Sequence, residues 1–262
     1  MRSLDEHARS QAILSALTAS GRVQVNELAE RLAVSTVTIR KDLDALQQRA
    51  ALRRVRGGAV AAAVLDEGSF ETRLLVNRAR KVAIARAAAP LVHDGDVIAL
   101  DSSTTCHLLA HELLTRRSLV VITNSLLTAS LFSERSDATV LIPGGSVRRS
   151  ARSVVGVIGD VLSGRGRIGT GFVGAHGVSA ERGVLDMAVD EAQVKQYLTA
   201  HCRQVVALAD SRKLGSFSLH AAVPPSRLTG LYTDSAADPA AVAALERAGV
   251  PVHLVDVPED GA

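Results

Sequence analysis

Cysteine is nearly absent: Cys106 and Cys202 are the only two in 262 residues, and they form no CxxC pair. Two isolated thiols exclude a disulfide framework, fit a reducing compartment and leave no four-ligand structural zinc site. Long apolar runs are missing too. The first ten residues, MRSLDEHARS, carry acids where a secretory leader needs a basic segment and then an apolar one. The expectation is a soluble, cytoplasmic chain with no membrane partner. Lysine is the third scarcity. Among 30 basic residues only Lys41, Lys81, Lys195 and Lys213 are lysines. Each marks a place that favours a compact ammonium over a planar guanidinium, although a codon bias towards arginine accounts for them equally well.

What is present suits one large domain, or a small one joined to a medium one, with a proper core in either case. The charge is unevenly spread. Residues 1–60 hold ten basic and six acidic side chains, an excess of about four, while the remainder is slightly acidic. Within that basic segment EHARSQAILSALT (6–18) reads as a helix with Ala8, Ile13, Leu14 and Leu17 inward, stopped by Gly21. A second, short helix follows over Glu27–Leu32, for which Asn26 is the expected cap. Ser35 then caps a third. In that third helix Ile39, Leu43 and Leu46 recur at core spacing. At 100° per residue this leaves Val37, Lys41 and Gln48 pointing away, with Thr38 and Arg40 on the flanks.

Helix, tight turn and basic helix is the helix-turn-helix pattern, whose second helix enters the major groove N-terminus first. Ser35, Thr36 and Thr38 are placed to donate to phosphates, and Arg40 and Lys41 to reach phosphate or base edges. ALRRVRGGAV (51–60) adds two short extended pieces bearing Arg53, Arg54 and Arg56 around a Gly57-Gly58 turn, as in the wing of a winged helix. The competing reading is a solvated helix beside a basic hairpin.

Residues 61–76 lose periodicity and read as a linker, with Gly68 as the joint. Beyond it strand-like runs (DVIALD, SLVVITN, ATVLIPGG, GTGFVGAHGV, QVVALAD, LTGLYTD, VPVHLVD) alternate with helical ones (NRARKVAIARAAAPLV, CHLLAHELL, SLLTASLF, VDEAQVKQYLTAH, PAAVAALERAG). The alternation predicts an α/β domain over 77–262 with a largely parallel, Rossmann-like sheet buried by helices. Asp101 to Thr105, Thr123-Asn124, Gly144-Gly145 and Asp210 to Gly215 all fall at carboxyl ends of strands, the edge where open α/β sheets bind ligands. Ser103, Thr104 and Thr105 also precede a helix, where amides and hydroxyls cradle phosphate; capping alone is the plainer role for such a run.

These motifs together resemble the DeoR family of bacterial transcriptional regulators. The DNA-binding half matches at Glu27-Leu28-Ala29, Val34-Ser35, Thr38-Ile39-Arg40, Asp42-Leu43 and the wing ending in Gly57-Gly58-Ala59. Further matches are Phe70, Arg73, Asn77, Lys81, Ile84 and Ala85, then Gly95 to Thr105, Thr123 to Ser125, Gly144-Gly145, Phe172 to Gly177, Glu191/Lys195 and Asp210 to Gly215. The resemblance implies a winged helix-turn-helix (1–60) joined to a sugar-phosphate-isomerase-like α/β domain that binds an effector and carries self-association. It implies a repressor of a sugar-metabolism operon whose partners are operator DNA, a phosphorylated sugar and further copies of itself. The implied effector site is Asp101, Ser103, Thr104, Thr105, Asn124, Gly145, Lys195 and Lys213. The chain departs from the family pattern at Ala50-Ala51, Arg56, Ser102, Gly169 and Val184-Leu185-Asp186.

Other signals carry less. GRGRIG (164–169) and GTGFVG (169–174) both satisfy GxGxxG but lack a strand before and a helix after, so they read as turn glycines, and no nucleotide cofactor is expected. His107 and His111 sit one helical turn apart without HExxH and read as surface histidines, so no metal is expected. Glu191 and Lys195 also have the spacing of an ordinary intrahelical ion pair. Two rivals stand beside the regulator: an isomerase-like enzyme using Asp101, Asp210 and Lys213, which lacks a clear matched acid/base pair, and an architectural DNA binder without an effector.

Overall fold

Ile39, Leu43 and Leu46 are all buried, and with Leu28, Ile13 and Leu17 they form the core of the N-terminal part of the chain. In the computed structural model the described residues are 9, 10, 12, 13, 16, 17, 22–48, 52–55, 57–61, 69–158, 162 and 167–257. They fall into two units, Met1–Glu67 and Gly68–Ala262.

In the first unit Arg9, Ser10, Ala12, Ile13, Ala16 and Leu17 are helical, whereas Ala8, Leu14 and Gly21 lie outside the described residues. Strand β1 (Arg22–Gln24) runs directly into helix α1 (Val25–Arg31), and α2 spans Thr36–Gln48. The expected cap, Asn26, is therefore inside α1; Gln24 occupies the cap position without a side-chain bond. Pairing of Val23 with Ala59 holds the chain extended up to Gln24, and the Val25 amide donates to Gly57 O, so the helix starts as the strand ends. Ser35 does cap α2, its Oγ accepting from Thr38 N at 3.0 Å. Strands β2 (Leu52–Val55) and β3 (Gly58–Ala61) complete an antiparallel sheet in the order β1-β3-β2. A side chain at residue 58 would lie 2.0 Å from Val23 O, so glycine is what lets β3 approach β1.

The second unit begins with helix α3 (Phe70–Leu75), capped by Ser69. It lies inside the stretch expected to be linker, because Phe70 is buried; Gly68 lies outside the described residues. The other helices are α4 (Arg78–Ala88), α5 (Thr104–Glu112), α6 (Leu126–Arg135), α7 (Val189–Ala200) and α8 (Pro239–Arg247). The main sheet uses β4 (Val97–Leu100), β5 (Val120–Thr123), β6 (Thr139–Leu141), β9 (Ile168–Gly174), β12 (Cys202–Leu208), β14 (Gly230–Asp234) and β15 (Val252–Val255). Every pair in it is parallel, in the order β15-β14-β12-β9-β4-β5-β6. Alternate residues serve opposite faces: Ala99, Val173, Val205 and Ala207 join one core, Ile98, Leu100, Phe172 and Val206 the other.

Short strands flank this sheet, and the runs ATVLIPGG and GTGFVGAHGV, each read as one strand, are divided between it and them. β7 (Gly144–Arg148) and β8 (Ser153–Ile158) form a hairpin. β10 (Gly177–Ser179), β11 (Gly183–Asp186) and β13 (His220–Val223) form a small antiparallel sheet. Gly169, Gly171 and Gly174, read as turn glycines, stand in β9; Gly164 and Gly166 lie outside the described residues. Among the described residues no helix is long and apolar enough to cross a membrane.

Candidate DNA-reading helix and candidate effector site

Helix α2 turns two very different faces outward and inward. Arg40 and Lys41 are exposed, and Val37 is 57 % exposed one turn earlier on the same side. On the buried side Asp42 takes a bidentate contact from Arg9, Nε to Oδ2 at 2.8 Å and Nη2 to Oδ1 at 3.0 Å, which clamps α2 to the first helical segment. Thr38 is less free than its sequence position suggests, since its Oγ1 lies 2.9 Å from Ser35 Oγ within the cap. Thr36 is partly exposed at the first position of the helix. Arg54 is drawn back to α2: its Nε is 3.1 Å from Asp44 Oδ1 and its amide donates to Gln47 Oε1 at 2.8 Å. Arg56 and the Arg53 side chain lie outside the described residues.

In the second unit the strand order reverses between β4 and β9. From β4 the chain steps outward to β5 and β6, whereas β9 begins the half that continues through β12, β14 and β15. The crevice beyond the carboxyl ends of such a pair is where doubly wound sheets take ligands. Asp101 stands there. Its Oδ1 accepts from Ser103 N at 2.9 Å and its Oδ2 from Gly174 N at 2.8 Å, joining the two strand ends. A side chain at residue 174 would sit 2.3 Å from Ser103 Cβ, so this approach also requires glycine.

A buried charge network lies beside Asp101. Lys195 Nζ is 3.2 Å from Asp101 Oδ2 and also pairs closely with Asp186, and all three residues are buried. Burial works against both partners, but each overcomes it through the other. Asp186 is held below the usual carboxylate range by the ammonium, and Lys195 is pushed well above the usual amine range by Asp186, Asp101 and Glu191. The expected Glu191–Lys195 pair along the helix is therefore not what forms, because Lys195 turns to the two aspartates. Glu191 instead collects four donors from elsewhere in the unit: Ser102 Oγ at 2.9 Å, Asn124 Nδ2 at 3.3 Å, Arg148 Nη1 at 3.4 Å, and Ser153 Oγ. Asn124 Nδ2 also reaches Val154 O at 3.3 Å, while its buried Oδ1 has no partner among the described residues. Reversing the amide would turn an oxygen towards a carbonyl and a carboxylate, so the orphaned atom is the acceptor.

The fold thus gathers Asp101, Ser103, Asn124 and Lys195 of the sequence-predicted set. Ser103 caps α5, its Oγ accepting from Cys106 N at 3.2 Å, and Thr104 and Thr105 form the buried first turn of that helix. Gly145 lies exposed at the irregular start of the β7–β8 pairing. Lys213 belongs to a different group. It ends a short 3-10 turn (Ser211–Lys213) after β12, two strands from β4 and so about 10 Å along the edge. There Asp210 Oδ1 accepts from Asn77 Nδ2 at 3.1 Å and Arg80 Nη1 donates to Ser211 Oγ at 2.8 Å. Burial, with the positive charges of Lys213 and Arg73 outweighed in part by Asp210, lowers Lys81 to about 8.

His107 is not the surface residue expected. Its ring meets Phe70 edge-on at 5.4 Å and its Nδ1 lies 3.2 Å from Thr128 Oγ1; burial, helped by His111, lowers its pKa to about 4. Among the described residues no cluster of three metal-ligating side chains occurs. The sequence reading missed the roles of Ser102, Arg148, Ser153 and Asp186. The available signal was an acid closing the otherwise apolar GVLD, a segment buried throughout in β11.

The DeoR-like helix-turn-helix domain model matches residues 9–63 and the DeoR C terminal sensor domain model matches residues 76–235. Similar proteins include the HTH-type transcriptional regulator GolR of Listeria innocua, 32 % identical over 95 % of this chain and 98 % of that protein. The HTH-type transcriptional repressor GlcR of Bacillus subtilis is 32 % identical over 97 % of this chain and 98 % of its own length. The putative aga operon transcriptional repressor of Escherichia coli O157:H7 is 30 % identical over 94 % and 93 %. Among solved structures, ribose 5-phosphate isomerase A from Methanocaldococcus jannaschii superposes with a TM-score of 0.40 at 18 % identity, covering 52 % of this chain and 54 % of that one. With both family models matched in order along the chain and relatives aligned over nearly its full length, the protein belongs to the DeoR family of transcriptional regulators.

Proposed function

We propose that the protein represses a sugar-metabolism operon and responds to a phosphorylated sugar bound at the carboxyl edge of its parallel sheet. Ser35, Thr36, Thr38, Arg40 and Lys41 of the α2 region, with Arg53, Arg54 and Arg56 of the wing, contact the operator, and the protein acts as a homo-oligomer in the cytoplasm. The repressor names of GlcR and of the aga operon relative support this direction. The observation that carries the effector reading is the reversal of strand order between β4 and β9, with the loop from Asp101 to Thr105 at its mouth. The amino end of α5, at Thr104 and Thr105, and the Lys213 ammonium suit a phosphate. The unpartnered Asn124 Oδ1 suits a sugar hydroxyl as donor, with Gly145 at the rim. Binding is favoured over turnover because Asp101, Asp186 and Glu191 already accept hydrogen bonds from the protein's own donors.

Calorimetry with a panel of sugar phosphates and their unphosphorylated forms, with and without operator duplex, tests this. The phosphorylated form binds far more tightly, and operator changes its Kd by a factor in the range of about 5–150. Lys213→Ala keeps DNA affinity near wild type and loses the effector response. Equal dissociation constants with and without operator would leave a ligand site without a switch and refute the proposal.

A further inference from the structure

We infer that Val37 reads the C5-methyl group of a thymine in the operator, which makes it a specificity-determining residue of this regulator. The inference rests on α2 being the helix that enters the major groove. Val37 is a β-branched apolar side chain, 57 % exposed, at the second position of a helix whose buried face is filled by Ile39, Leu43 and Leu46. The core of the unit does not include it.

Its neighbours determine what it meets. Arg40 and Lys41 follow at three and four positions, so they share its face, and both are exposed. Two cations beside the exposed valine exclude an apolar protein surface as the natural occupant and suit a polyanion carrying apolar points. The major groove supplies that combination: phosphates along its rim, guanine acceptors on its floor, and thymine methyls as the apolar groups there. Near this end Ser35 and Thr38 hydrogen-bond each other within the cap, which leaves their hydroxyls, like that of Thr36, to the phosphate rim, and Asp42 is clamped by Arg9. Residues at the amino end of such a helix are the ones that reach base edges. Valine has no hydrogen-bonding group, so of the base edges in the groove the thymine methyl is the one it can distinguish.

The test removes one methyl at a time. The full-length protein selects duplexes from a random-sequence pool, and each thymine of the selected half-site is then replaced by deoxyuridine. Wild type loses about fourfold in affinity at one such position, the loss expected when a single methyl leaves an apolar contact. Val37→Ala binds the thymine and deoxyuridine duplexes alike, with an unchanged salt slope because no phosphate contact is lost. Its thermal transition matches wild type, as an exposed position requires. If no thymine is sensitive in wild type, or the sensitivity persists in Val37→Ala, the inference is overturned. If wild type enriches no sequence from the pool, sequence reading by α2 itself fails, and the inference falls with it for that separate reason.

Discussion

Replacing Lys195 by methionine removes the one ammonium that lies against both Asp101 and Asp186. The side chains of Lys195, Asp186 and Asp101 are 6 %, 6 % and 1 % exposed, so water cannot take over as their partner. Removing one member of a buried pair while leaving its counter-charge costs ~3–5 kcal/mol. In a unit of this size each kcal/mol moves the melting temperature by ~2–4 °C, so Tm falls by roughly 6–20 °C. The assay is thermal denaturation of the full chain followed by near-UV circular dichroism at pH 7 and again at pH 4.5. The pH dependence has a definite sign. In wild type Asp186 is depressed, so its contribution is complete above the unfolded carboxylate value and is lost as pH falls through the folded one. In Lys195→Met the ammonium that holds Asp186 down is gone and burial raises it instead, its protonated form is favoured, and the deficit relative to wild type narrows at pH 4.5. Adding Asp186→Asn to Lys195→Met removes an uncompensated carboxylate and recovers part of the loss. A deficit below about 1 kcal/mol at pH 7, independent of pH, would show that Lys195 is not held by the aspartates. It would then be available to an effector, as its place in the family motif implies.

Arg40→Ala lowers operator affinity by ~1–3 kcal/mol and relaxes discrimination if the guanidinium reaches a guanine edge, whereas Lys41→Ala weakens operator and scrambled duplex alike and reduces the salt slope by about one. Titration of both variants across a salt series checks this, and unchanged affinities would remove α2 from the interface. Ala33, in the turn between α1 and α2, sits at φ 53, a left-handed conformation that costs a side chain ~1–2 kcal/mol. Ala33→Gly, after its own entropic cost, stabilises the helix-turn-helix unit by ~0.5–1 kcal/mol in urea unfolding, and a destabilised variant would contradict the backbone geometry.

The DNA-reading unit was legible because its signals are local. The Ser35 cap and the spacing of Ile39, Leu43 and Leu46 involve residues within three turns of one another. Asn26 misled because the deciding partner, Ala59, arrives from more than thirty positions away and holds β1 extended. The same holds in the second unit. Apolar runs announced the strands of the main sheet, and polar residues at their ends announced the edge. The destination of each side chain depended on distant chain: Phe70 burying His107, Asp186 capturing Lys195, and Ser153 and Asn124 converging on Glu191. The β7–β8 hairpin stayed hidden because GGSVRRSAR is polar, rich in arginine and glycine, and largely exposed, so no burial pattern marks it.

The pairing of β4 with β9 has a consequence for the order in which the chain is finished during synthesis. Ile98 meets Thr170 across about seventy residues of intervening sequence, and a parallel pair has no short turn to bring its strands together. The helices and three short strands of the first unit are complete far earlier on the ribosome, and domains fold as they emerge. Asp101 has no Gly174 amide to hold until β9 has been made. A nascent chain therefore completes its helix-turn-helix unit well before the crevice between β4 and β9 exists.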